Sequence, residues 1–128
     1  MGNGTSIGKV RGLGSAHHGS HHWLLQRFTA IGNLVLGIFL AASFAMLPGY
    51  DFASVKGWIA EPLPAAAVAL FVVSAFWHAR LGLQVLIEDY VHTPGNKFAA
   101  IAALNLAAIG GAAFALFSIV RLALGGAA

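Results

Sequence analysis

Three long apolar stretches, separated by short polar ones, set the plan of this chain. The first runs from about Phe28 to Leu47 and carries no charged residue. The second runs from about Pro64 to Ile87, and the third from about Phe98 to Val120, where Arg121 closes it. A bilayer hydrocarbon core about 30 Å thick needs roughly 20 helical residues to cross, so each stretch is long enough. Pro48-Gly49 ends the first span, and Thr93-Pro94-Gly95-Asn96 is a turn between the second and third. Residues 50 to 64 read as a loop with an interfacial Trp58, and Pro64 suits a helix start because a first-turn N–H has no intrahelical partner. The pattern predicts an all-α integral membrane protein with three transmembrane helices. A polar segment of about residues 1–24 precedes them, and residues 1–128 form a single membrane domain.

Composition strengthens this picture. Hydrophobic residues are 59% of the chain and charged residues 9%, against about 25% charged in an ordinary soluble domain. In lipid such a surface is matched to its surroundings. With 128 residues there is room for one bundle and no separate soluble domain. The chain has no cysteine, which excludes disulfides, thiolate metal sites and cysteine nucleophiles. Its net charge of +3 reflects a scarcity of acids, and no basic cluster is dense enough to bind nucleic acid.

The distribution of bases gives an orientation. Lys9, Arg11 and Arg27 precede the first span, and Arg80 and Lys97 flank the second connection, whereas the first loop sets Lys56 against Asp51 and Glu61. The positive-inside rule then predicts N-in/C-out, with Arg121 as a counter-signal. The N-terminal segment lacks the apolar core of a signal peptide, and no presequence is evident. The expected location is therefore the bacterial inner (cytoplasmic) membrane in preference to the mitochondrial one. Met1-Gly2 with Ser6 and the Asn3-Gly4-Thr5 sequon match modification patterns short enough to arise by chance. Ala107, Gly110 and Gly111 are either small residues for close helix approach or plain lipid-facing surface.

Among polar residues, His78 is the informative one, because it follows an apolar run from Ala65 to Trp77 deep in the second span. An ionisable group there costs a few kcal/mol unless it is paired or has a role. Two readings stand side by side: an axial ligand of heme iron, or a histidine hydrogen-bonded to a neighbouring helix. Gly82, one turn on, leaves space for a flat macrocycle, and Val85, Leu86 and Asp89 continue the same face. Asp89 and Tyr90 stand roughly 16 Å along the axis from His78, at the membrane edge. Tyr90 alone is equally an aromatic-belt anchor. Arg27 is placed to pair with an anion such as a propionate, or to serve as a positive-inside anchor. Arg80 must snorkel or find an anionic partner, with a propionate, Glu88 or another subunit as candidates. His17, His18, His21 and His22 read as a polar juxtamembrane segment in preference to a metal tract, since no carboxylate or thiol accompanies them. If His78 ligates heme, one intramembrane histidine per chain leaves the second ligand to a partner membrane subunit or to a second copy of this chain.

The stretch His78-Ala79-Arg80-Leu81-Gly82-Leu83-Gln84-Val85-Leu86-Ile87-Glu88-Asp89-Tyr90-Val91 resembles the signature of the small hydrophobic membrane-anchor subunits of succinate dehydrogenase, H-A-x-x-G-x-x-x-x-x-x-D-Y. Arg11-Gly12-Leu13-Gly14-Ser15-Ala16, Gly19-Ser20 and Gln26-Arg27-Phe28-Thr29-Ala30-Ile31 are similar to the N-terminal pattern of alphaproteobacterial members. The resemblance covers most of the chain; the four histidines before the first span fall in its variable part. It implies a membrane anchor in succinate:ubiquinone oxidoreductase, respiratory complex II. This anchor packs with a second three-helix anchor, the cytochrome b subunit, which supplies the other heme ligand. It also implies a flavoprotein subunit with FAD and an iron-sulfur subunit with its clusters, neither cofactor being held by this chain. His78 matches the heme b iron ligand, Tyr90 the residue that hydrogen-bonds ubiquinone, and Asp89 its acidic neighbour. Arg27 matches an arginine near the heme propionates and the quinone pocket. The implied role is a subunit of an enzyme with no complete active site of its own. A small membrane channel, transporter or assembly protein without redox chemistry is the alternative; a self-contained two-heme cytochrome would need paired intramembrane histidines.

Overall fold

The computed structural model describes residues 19–125. Lys9, Arg11, His17, His18, the two N-terminal modification patterns and the first part of the N-terminal resemblance lie outside the described residues. Four helices follow one another: α1 (Gly19–Ala45), α2 (Phe52–Ala60), α3 (Pro62–Tyr90) and α4 (Pro94–Ala123), with no strand among the described residues. Of these, α1, α3 and α4 are long and apolar enough to cross a membrane. The 29 residues of α3 make roughly 43 Å of helix, longer than the hydrocarbon core, so its ends reach the interfacial layers.

The helix ends differ from the expected boundaries for local reasons. α1 starts at Gly19, about two turns before the expected Phe28, so His21 and His22 ride on its first turns. The segment expected as a loop contains α2, a correction to the pattern reading. Asp51 caps α2, accepting the Ser54 N–H at 3.3 Å and the Ser54 hydroxyl at 2.6 Å. Those hydrogen bonds, the hydroxyl's first, hold the exposed Asp51 carboxyl below its ordinary value. Glu61 then takes an extended conformation, as a residue preceding proline must, ending α2 and starting α3 at Pro62. Likewise Thr93 is extended before Pro94, which opens α4, so the expected Thr93–Asn96 turn is shorter than predicted. The Lys97 ammonium donates to the Glu88 carbonyl at 2.8 Å and ties that corner shut.

α3 is the central helix: it packs on α1 on one side and α4 on the other, while α1 and α4 do not meet. The short α2 crosses to touch α3 and α4, burying Ile59. It is also held to the end of α1, where the Trp58 indole donates to the Ser43 hydroxyl at 2.8 Å and lies edge-on to Phe44 at 5.7 Å. A three-helix row leaves both broad faces uncovered. Among the described residues only Ile59, Ala67 and Leu81 are buried hydrophobics, so most apolar surface is left for lipid or partner helices.

Candidate functional site

The antiparallel contact of α1 with α3 is built from small and polar side chains. A Cβ on Gly82 would meet the Gln26 amide at 3.4 Å, one on Gly32 the Ser74 hydroxyl at 3.3 Å, and one on Gly37 the Phe71 ring at 3.6 Å. Glycine at these places lets the backbones approach. Gly82, expected to leave space for a macrocycle, is covered by Gln26.

Within this seam lies His78, half-buried, with Nδ1 3.0 Å from the Thr29 hydroxyl oxygen. The same oxygen is 2.8 Å from the Leu25 carbonyl and 3.1 Å from the Gln26 carbonyl in its own helix. One turn earlier on α3, the Ser74 hydroxyl donates to the Thr29 backbone carbonyl at 3.2 Å. Thus His78 does hydrogen-bond a neighbouring helix, and through Nδ1 alone; Nε2 has no partner among the described residues. An imidazole with one nitrogen anchored and the other open is a donor suited to heme iron, so the residues fit that group. Beside this seam is an open apolar hollow of ≈ 320 Å³, lined in part by Phe28, Thr29, Ser74 and Trp77. On α1 the Gln26 Oε1 and Asn33 Oδ1 atoms are enclosed without a partner among the described residues.

The other expected site residues are placed elsewhere. Asp89 and Tyr90 close α3, and Tyr90 is 76% exposed. Neither is brought to His78. Arg27 is exposed on α1, its guanidinium over the Trp23 ring at 5.4 Å. The α1–α3 register pairs Gln26 with Gly82 and Thr29 with His78, which sets Arg27 at the height of Arg80. The rise per residue then separates it from the Tyr90 level by roughly 15 Å. Arg80 faces the opposite side of α3, where its Nε donates to the Asn105 side-chain oxygen. These two residues sit at a groove of ≈ 600 Å³ between α3 and α4 that is otherwise apolar. His21 and His22 join no cluster of three or more potential metal ligands among the described residues.

Gln26 and Thr29, present only as members of the N-terminal motif, and Ser74 and Asn105 had no role assigned from the sequence. A signal for the first three existed: Gln26, Thr29 and Asn33 are spaced to share one face of α1, as Ser74, His78 and Gly82 share one of α3. Asn105 carries no such mark.

The arrangement is that of a polytopic α-helical membrane protein whose central span carries an anchored histidine. The family model of the succinate dehydrogenase/fumarate reductase transmembrane subunit matches residues 1–117. The succinate dehydrogenase hydrophobic membrane anchor subunit of Rickettsia bellii (strain RML369-C) is 34% identical over 105 residues, covering 82% of this chain and 84% of the relative. That of Paracoccus denitrificans is 31% identical over 117 residues, covering 91% and 89%. The succinate dehydrogenase membrane anchor subunit of Reclinomonas americana is 32% identical over 94 residues, covering 71% and 78%. The chain belongs to the succinate dehydrogenase/fumarate reductase transmembrane-subunit family, among its hydrophobic membrane anchor subunits, as the sequence motifs implied. It is a membrane protein and part of an enzyme complex.

Proposed function

We propose that this anchor completes two sites in succinate:ubiquinone oxidoreductase: His78 is an axial ligand of heme b, and Tyr90 with Asp89 forms part of the ubiquinone-reduction site. The reading rests chiefly on His78, held by Nδ1 within the central span with Nε2 unengaged. Heme b, when bound, supplies one-electron chemistry. The second ligand comes from the cytochrome b anchor subunit, which covers the open face of the α1–α3 pair. Arg27, at the height of the His78 region, neutralises a heme propionate; the register favours this over a place beside Tyr90.

Tyr90 donates its phenolic hydrogen to a quinone oxygen, where negative charge develops during reduction. Asp89 orients that phenol or passes protons to it. Their place at the end of α3, outside the apolar span, suits contact with an iron-sulfur subunit docked on the membrane face. The chain lies N-in/C-out in a bacterial inner membrane, so that this end is cytoplasmic. It holds the flavoprotein and iron-sulfur subunits at the membrane and has no complete active site alone.

The optical spectrum of the purified complex, with the identities of the co-purifying chains, tests this reading. His78→Ala should alter or abolish the heme b bands, and a spectrum unchanged from wild type would exclude the ligand role. Tyr90→Phe should lose most quinone reduction while keeping succinate oxidation with a soluble acceptor. Unchanged quinone reduction in that variant would remove Tyr90 from the site. A purified homo-oligomer with no chromophore and no co-purifying subunits would instead favour a non-redox transporter or assembly protein.

A further inference from the structure

We propose that Thr29 is a positioning residue that fixes the tautomer of His78, keeping the ring proton on Nδ1 and leaving the Nε2 lone pair for the heme iron. The proposal rests on the reading above that His78 is an axial ligand. It is carried by the proton count at one oxygen. Thr29 Oγ1 lies 2.8 Å from the Leu25 carbonyl and 3.1 Å from the Gln26 carbonyl, and carbonyls only accept. In this proposal the single hydroxyl proton lies inside α1, on the shorter of these two contacts, in the back-bonded geometry common for helical threonine. What Thr29 turns towards α3 is lone pair. With the hydroxyl proton so placed, His78 Nδ1, 3.0 Å from that oxygen, carries the ring proton, since two facing lone pairs repel.

Other features hold the arrangement. A β-branched side chain has few χ1 choices in a helix, so the Thr29 oxygen is held between the α1 carbonyls and the ring. The Ser74 hydroxyl bonds the Thr29 carbonyl at 3.2 Å, fixing the two helices against each other one turn from His78. A hydrogen bond from the distal ring nitrogen also makes the ligating nitrogen a stronger donor, which favours ferric heme.

The test uses Thr29→Val, which keeps the shape and removes the oxygen, and Thr29→Ser, which keeps the oxygen. In the full chain labelled with ¹⁵N-histidine and placed in lipid vesicles without heme, ring ¹⁵N shifts report the tautomer; His78→Gln assigns the signal. Wild type and Thr29→Ser should show protonated Nδ1, and Thr29→Val should shift population to protonated Nε2. In the assembled complex, Thr29→Val should raise the heme b midpoint potential and weaken heme retention by about 10–100-fold, with Thr29→Ser restoring both. If His78→Ala abolishes the heme bands yet Thr29→Val matches wild type in tautomer and potential, the Thr29 role alone is overturned. If His78→Ala keeps the wild-type bands, the ligand reading falls and takes the proposal with it, whatever the tautomer shows.

Discussion

The two faces of α3 are packed by different means. Towards α1 the contact is polar and fine-grained: glycines at 32, 37 and 82 bring the backbones close, and the Ser74–Thr29–His78 hydrogen bonds run across the gap. Towards α4 it is a knob in a hole, with the Phe76 ring lying where a Cβ on Gly111 would be, 2.5 Å from Cε1. On that side the Arg80 guanidinium is paired with Asn105. In lipid there is no hydrophobic force between helices, so shape and hydrogen bonds carry association. The α4 side uses shape to hold the helix, and Arg80 is answered within the chain. The α1 side spends its hydrogen bonds on aiming an imidazole. One central helix thus separates a holding face from an orienting face.

That division predicts unequal consequences. Gly111→Leu should have the largest effect on stability, about 3 kcal/mol, at the upper end for overpacking because a whole side chain is added where Phe76 already lies. Thermal or detergent unfolding of the complex would measure it, and adding Phe76→Ala should recover part of the loss. The heme band positions should not move in Gly111→Leu; a clear shift would show that the α4 face also orients His78. Asn105→Leu comes next. It leaves the Arg80 Nε–H without its acceptor inside the membrane, at a cost of about 1–3 kcal/mol in the same unfolding measurement. Suppressing that cost by adding Arg80→Leu would confirm the coupling, and additive losses would refute it. Ser74→Ala should be the mildest, about 0.6 kcal/mol, since the Thr29 carbonyl keeps its own helical hydrogen bond. Its signature should instead be a change in the heme b potential that Asn105→Leu does not share.

Arg80 shows how the sequence limits such reasoning. Its depth made a partner necessary, and a propionate, Glu88 or another subunit were all admissible. The chain supplies Asn105, which no spacing rule connects to position 80. The same holds for Thr29, which stands in the N-terminal motif without a partner until α1 and α3 are set in register. α2 was missed for another reason. Nine residues are too few for a periodic signal to stand out, although Asp51 is a residue type favoured at a helix N-cap. Proline marked the starts only roughly: the start expected at Pro64 falls at Pro62, and Pro94, expected within a turn, opens α4, each by restricting the residue before it.

By itself the sequence determined the membrane, the three spans, the family motif and the depth of His78, since length and apolarity against bilayer thickness act locally along the chain. The tertiary structure alone decided which nitrogen of His78 is anchored, which residue answers Arg80 and which face of α3 remains open. Those outcomes depend on the axial register and rotation of one helix against another, set by where a glycine admits a ring or a hydroxyl across the gap. No periodicity within a single helix encodes that choice.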